Sequence, residues 1–272
     1  MRMLYNWKVR SLKIPRLNGW WRRFRASRGE AVGNYNDLPQ HIRDHAAGKS
    51  FADIGCMWGV NGEYAFLAED AGATRIVAVD VFGPTPEFDE KHRTKTSKVE
   101  FVLGDITRAS TQRRIGQVDV VFCAGVLYHH PSPFELLAAL RRICRETLIL
   151  RSSTIPEVRG LPNAAVYFPM MSERGRALWN LRSLGLMHQA GITEAFHPKD
   201  GYGNWFWGLT PSCLESLLAT AGFSVEVRAT EAFAQTVICT AVAPPLDHRL
   251  PDDEEARAVA AAISAAGVAR PA

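Results

Sequence analysis

Three short apolar runs, "SFADI" (50–54), "RIVAVD" (75–80) and "VEFVLGD" (99–105), each place an aspartate at or beside the carboxyl end. Helix-length segments separate them, so they read as parallel strands buried on both faces. Two more runs follow, "VDVVFCAG" (118–125) and "ETLILRS" (146–152), on either side of the helix-like "FELLAALRRIC". "SVEVRAT" and "QTVICTAVA" complete the set as a hairpin at one sheet edge. The predicted fold is α/β: a Rossmann-like, seven-stranded, mostly parallel sheet with helices on both faces and an antiparallel last strand. In open sheets of this kind ligands bind beyond the carboxyl ends of the strands, which puts Asp53, Asp80 and Asp105 at one edge.

The strand and helix alternation breaks near residue 152, dividing the chain into five stretches. A basic, aromatic arm covers 1–45 and the cofactor-binding core 46–155. A helical and aromatic cap carrying the acceptor site covers 156–210, too long for a simple connection. The core resumes over 211–245, and a helix and tail cover 246–272. "TPSCLESLLATAGF" opens with Thr210 as N-cap and Pro211 at the first helical position, and Gly222 ends it.

With 272 residues and 47% apolar composition, the chain can bury a sizeable core. No apolar run reaches the ~18 residues that span a bilayer. The five scattered cysteines read as buried thiols of a reducing cytoplasm, the expected location. The net charge of +4 is unevenly spread, because nine basic residues from Arg2 to Arg28 precede the first acid, Glu30. That arm suits a lid or dimer arm, with a membrane-proximal acceptor or nucleic acid as other uses. A homodimer is the expected assembly.

"FADIGCMWG", "IVAVD", "VEFVLGDI" and "DVVFCAGVLYHHPSPFELL" together resemble the class I S-adenosylmethionine-dependent methyltransferases. In that family the first motif is usually D-x-G-x-G-x-G, and Met57 stands here in place of the middle glycine. The resemblance implies that Asp53, Gly55, Met57 and Gly59 form the cofactor loop, with the Met57 thioether along the pocket wall. It also implies that Asp80 and Val81 hold the ribose, that Asp105 and Ile106 hold adenine, and that Cys123 lies nearby. The implied cofactor is S-adenosyl-L-methionine, with S-adenosyl-L-homocysteine as product. A divalent metal is left open, since no metal signature stands out.

Tyr128, His129 and His130 follow the fourth strand and face the expected reaction centre, with His129 open between general base and scaffold. His188, Tyr202, Trp205 and Trp207 are the expected acceptor residues, the indoles packing against sugar or aromatic faces. His197 and Asp200 are further candidates for an acid–base pair. The second half is similar to tRNA wobble-uridine modifying enzymes, and the arrangement also resembles enzymes that methylate mycobacterial methylmannose polysaccharide precursors. The expected function is O-methylation of a carbohydrate or glycosylated small molecule, with an oligosaccharide or small-molecule acceptor rather than nucleic acid. RNA modification and non-catalytic cofactor binding are the alternatives.

Overall fold

The computed structural model describes residues 37–183, 195–231 and 233–245. The N-terminal arm to residue 36, His188 and the predicted C-terminal helix lie outside these. The first described helix, α1 (Leu38–Ala46), buries Leu38, Ile42 and Ala46 against the sheet, so this part of the expected arm packs on the core. A βα alternation follows: β1 (Ser50–Ile54), α2 (Glu63–Asp70), β2 (Arg75–Asp80), α3 (Pro86–Lys95), β3 (Glu100–Leu103), α4 (Ala109–Ile115) and β4 (Val118–Ala124). Next come α5 (Pro133–Ile143), β5 (Cys144–Ser153), β6 (Ala165–Tyr167), α6 (Glu173–Ser183), β7 (Trp207–Leu209), α7 (Pro211–Thr220), β8 (Phe223–Thr230) and β9 (Ala234–Ala241).

Seven strands form one sheet in the order β3-β2-β1-β4-β5-β9-β8. β1 pairs in parallel with β2 and β4, and the last strand, β9, runs antiparallel to both β5 and β8. The strand order reverses between β1 and β4, and a crevice opens there at the carboxyl ends. The central strands are apolar on both faces because helices cover both. Two apolar clusters, one on each side, bury Val121 with Leu137 and Phe51 with Phe122.

Local signals behave as their chemistry requires. The Thr210 hydroxyl accepts from Cys213 N at 3.3 Å, with Pro211 at the first turn of α7. Gly222 ends that helix at φ +95°, where a Cβ would strike the Ala243 carbonyl. All five cysteines are buried free thiols. Among the described residues no helix is long and apolar enough to cross a membrane.

The cap is built on a second, two-stranded sheet of β6 and β7, joined antiparallel. It returns to the core through a 3-10 segment, Pro198–Gly203, that lies over the crevice. Ile155 and Phe168 anchor it in a small apolar cluster with Trp179 and Trp205.

Candidate active site

A cavity of about 710 Å³ opens at the carboxyl ends of β1, β2 and β4 and under the cap. Asp53, Gly55, Gly59, Asp80, Val81, Asp105 and Ile106 line one part of it. Tyr128, His129, His130, Tyr202 and Trp205 line the part facing the cap.

The loop after β1 is shaped by close approach. Gly55 sits at φ +82°, and a Cβ there would collide with the Val126 side chain. Its N–H donates to Val79 O at 2.8 Å, tying the loop to β2. The position usually taken by a middle glycine needs none here, because Met57 has no positive φ. The Met57 side chain is 1% exposed and packs in the cluster beneath α1 rather than along the pocket wall, contrary to expectation. What this residue offers the site is its backbone, whose N–H donates to Asp80 Oδ2 at 2.7 Å. Cys123 is likewise in the core and does not line the cavity, and burial pushes its thiol pKa upward.

Each strand-end acid has a distinct environment. Asp53 is 1% exposed, and its Oδ2 has no hydrogen-bond partner. Burial drives its carboxyl from the ordinary 3.8 up to about 7; the Ala65 N–H opposes that rise, and the charge of Asp80 adds to it. A buried carboxylate oxygen with a free lone pair, facing a cavity, suits a cationic donor. Asp80 accepts from Met57 N and, through Oδ1, from Phe82 N at 2.9 Å. Those contacts fix the carboxylate plane and leave lone pairs toward the crevice for a pair of hydroxyls. Asp105 is partly buried, which would raise its pKa. The Thr107 N–H and hydroxyl on Oδ1 and the Tyr202 hydroxyl on Oδ2 outweigh that and hold it below the usual carboxylate range.

Tyr202 therefore belongs to the acid's side of the cavity. Its hydroxyl donates to Asp105 at 2.9 Å, and its ring stacks on His130 with centroids 5.5 Å apart. Burial and the neighbouring carboxylate raise its pKa to about 12, so it stays a neutral donor. His130 is 7% exposed and its Nδ1 is bonded to the backbone of Ser132. That bond and the stacked phenol hold the ring in the turn that enters α5.

His129 differs. Its Nδ1 lies 2.8 Å from the carbonyl of Asn204, which can only accept, so the ring proton sits on Nδ1. Nε2 then carries a lone pair and has no hydrogen-bond partner among the described residues. Burial lowers the pKa of the ring below 6.5, more than the Asn204 bond raises it, so the imidazole is neutral at pH 7. Aromatic rings surround it: Trp58 at 5.2 Å, Tyr128 at 4.3 Å and Trp205 at 5.5 Å between centroids.

Of the other expected acceptor residues, Trp207 does not reach the cavity. Its Nε1 donates to Pro131 O at 2.8 Å, and its ring packs on Tyr167 in the cap seam. His197 joins the cap turn through its backbone. Several lining residues went unseen in the sequence. Trp58 and Phe82 flank the mouth at 61% and 47% exposure, and a large apolar residue inside a glycine loop was the available signal. Arg151 ends an apolar strand, also a legible anomaly; it makes a two-pronged ion pair with Glu231 at 3.1 and 3.0 Å and donates to Thr236. Among the described residues no cluster of three metal-ligating side chains exists.

Residues 52–149 match the family model of a methyltransferase domain. That stretch, 52–149, is what the chain shares with methyltransferase domains. The matched stretch runs from β1 to β5 and so covers the strands whose ends carry Asp53, Asp80 and Asp105. The chain is 30% identical over 110 residues to a tRNA U34 carboxymethyltransferase of Sulfurimonas denitrificans, a match covering 39% of this chain and 34% of that one. The chain thus spans about a third of the length of that curated relative. Among solved structures it resembles the 1,6-didemethyltoxoflavin-N1-methyltransferase of Burkholderia thailandensis, with TM-score 0.51 and 15% identity over 76% of this chain and 77% of that one. The N-terminal domain of EvdMO1 is similar too, with TM-score 0.50 and 18% identity over 78% of this chain and 82% of that one. At these identities the structural likeness establishes the fold.

Proposed function

We propose that the protein transfers a methyl group from S-adenosylmethionine to a hydroxyl of a carbohydrate or glycosylated small molecule. The observation that carries this reading is the free Nε2 of His129, a neutral base held by its other nitrogen inside an aromatic-walled cavity.

The residues present fit the cofactor. The orphaned Oδ2 of Asp53 suits the α-ammonium of its methionine portion, and Gly55 leaves room for that portion beside Val126. Asp80 would accept from the ribose hydroxyls, and Asp105 and Ile106, which line the same cavity, would hold the adenine. When bound, the cofactor supplies a methyl group on a sulfonium centre already activated for displacement. The protein's share is to hold the acceptor in line and to take its proton. His129 Nε2 takes that proton from the hydroxyl, and the positive charge that develops on the ring is shared with the Asn204 carbonyl, in a surround formed by the Trp58, Tyr128 and Trp205 rings.

Charge supports a neutral acceptor. Among the described residues, Asp53, Asp80, Asp105 and Asp200 line the cavity with one guanidinium, that of Arg151, which is paired with Glu231. The described lining thus offers an anionic acceptor no unpaired guanidinium. Indole and phenol walls instead favour the C–H faces of a sugar ring. The tRNA-modifying relative favours a second reading, with an RNA nucleoside as acceptor.

Transfer of isotope-labelled methyl from S-adenosylmethionine to separated carbohydrate, lipid and RNA pools tests the reading. Label in carbohydrate or glycolipid is expected; label confined to RNA overturns it. Cofactor binding is checked separately with Asp80→Ala. Losing the carboxylate should weaken S-adenosylhomocysteine by about 2 kcal/mol, or roughly thirtyfold, in calorimetry. Unchanged affinity would remove Asp80 from the site.

A further inference from the structure

The base and the group that orients it belong to different parts of the chain. His129 stands at the end of a 3-10 turn after β4, whereas its partner, the carbonyl of Asn204, is 75 residues away in the cap. We infer that Asn204 is a positioning residue: its side chain folds the 197–204 turn so that its own carbonyl takes the Nδ1–H of His129 and leaves Nε2 as the proton acceptor.

Asn204 is only 8% exposed, yet its amide is fully employed. Nδ2 donates to His197 O at 2.8 Å and to Gly201 O at 2.9 Å, and Oδ1 accepts from His197 N at 2.9 Å. Those three bonds close the loop across a kink at Gly201, which takes φ 50°, ψ −122° inside the 3-10 segment, a conformation open to glycine. An aspartate would keep the acceptor but lose both donors, and no aliphatic residue could replace either. The carbonyl of the same residue then points away from the turn and onto His129. Because a carbonyl has no proton to give, this contact admits one neutral tautomer.

The turn has other moorings. The Tyr202 hydroxyl reaches Asp105, Phe206 N donates to Tyr128 O at 2.9 Å, and Trp58 lies against Gly203. Removing the Asn204 side chain should therefore loosen the carbonyl without releasing the cap. The consequence is that a cap segment, rather than the sheet, sets the protonation pattern of the base. This inference rests on reading His129 as that base, and the test keeps the two apart.

Nitrogen NMR of histidine-labelled full-length protein with S-adenosylhomocysteine reports the tautomer directly. His129 is assigned from the signal lost in His129→Gln. Wild type should show the Nδ1–H form. In Asn204→Ala the proton should redistribute to Nε2, and methyl transfer should fall by about tenfold or more, as wrong-tautomer histidines do. Affinity for S-adenosylhomocysteine should stay as in wild type. Asn204→Ser, which keeps one donor, should lie between the two, and it carries the test if the alanine variant does not fold. Persistence of the Nδ1–H form in a folded Asn204 variant overturns the inference. Wild-type turnover in His129→Gln would instead sink the base reading, whatever the tautomer does.

Discussion

Replacing His129 by alanine is expected to lower methyl transfer by about 10²- to 10⁴-fold, the usual contribution of a positioned general base. Affinity for S-adenosylhomocysteine should not change, because none of the cofactor contacts uses this ring. The two readouts separate loss of a base from loss of a folded pocket. The wild-type pH profile should carry the same signature. Burial depresses the His129 pKa, so the neutral form persists below the ordinary histidine range, and the rate should fall only as pH drops below 6.5. Linkage gives the matching stability effect. A depressed folded pKa contributes stability above 6.5, and this is lost as pH falls through the folded value. Undiminished transfer by the alanine variant would mean that the acceptor needs no base or finds one elsewhere.

Asp53→Asn should separate binding from stability within one residue. The carboxylate has one buried oxygen without a partner, the atom best suited to a cationic group. Loss of its charge should cost about 1.5–3 kcal/mol of cofactor binding, a roughly ten- to hundredfold weaker dissociation constant. The apo protein should respond in the opposite direction. Burial lifts this carboxyl from 3.8 to about 7, so the folded protein retains a proton that the unfolded chain releases. With a raised folded pKa, the contribution to stability is complete below the unfolded value and is lost as pH rises through about 7. The full difference is up to about 4 kcal/mol at alkaline pH. Asparagine does not titrate, so the variant should resist urea better than wild type at pH 8, by a margin that shrinks toward pH 5. A variant less stable than wild type at both pH values would show the carboxylate to be a structural partner instead.

The positions that the sequence made legible share a physical cause. Asp53, Asp80 and Asp105 stand out because polar residues at the carboxyl ends of buried strands are costly unless a ligand or a turn employs them. Periodicity alone predicted the strands, since a parallel sheet covered on both faces demands continuous apolar runs. Thr210, Pro211 and Gly222 could be read because caps and stops act within one turn of chain. No long-range information was needed for any of them.

Other features had no local signature. Met57 sits in a motif that suggests the pocket wall, yet the chain turns it under α1, where its volume fills the core and only its N–H serves Asp80. Trp207 lies three residues from Asn204 in the same aromatic run, but pairing of β6 with β7 turns its indole to Pro131. Asn204 is invisible to any motif, because its amide serves only to shape a turn and aim its backbone carbonyl at a ring 75 residues away. The sequence by itself determined the sheet, the crevice and the acids along its edge, through burial and backbone conformations that act over a few residues. Which histidine has a free nitrogen, and which tyrosine lies against Asp105, was decided only by the cap folding back across 75 residues. Hydrogen bonds between distant segments depend on where the chain returns, and no neighbouring residue encodes that.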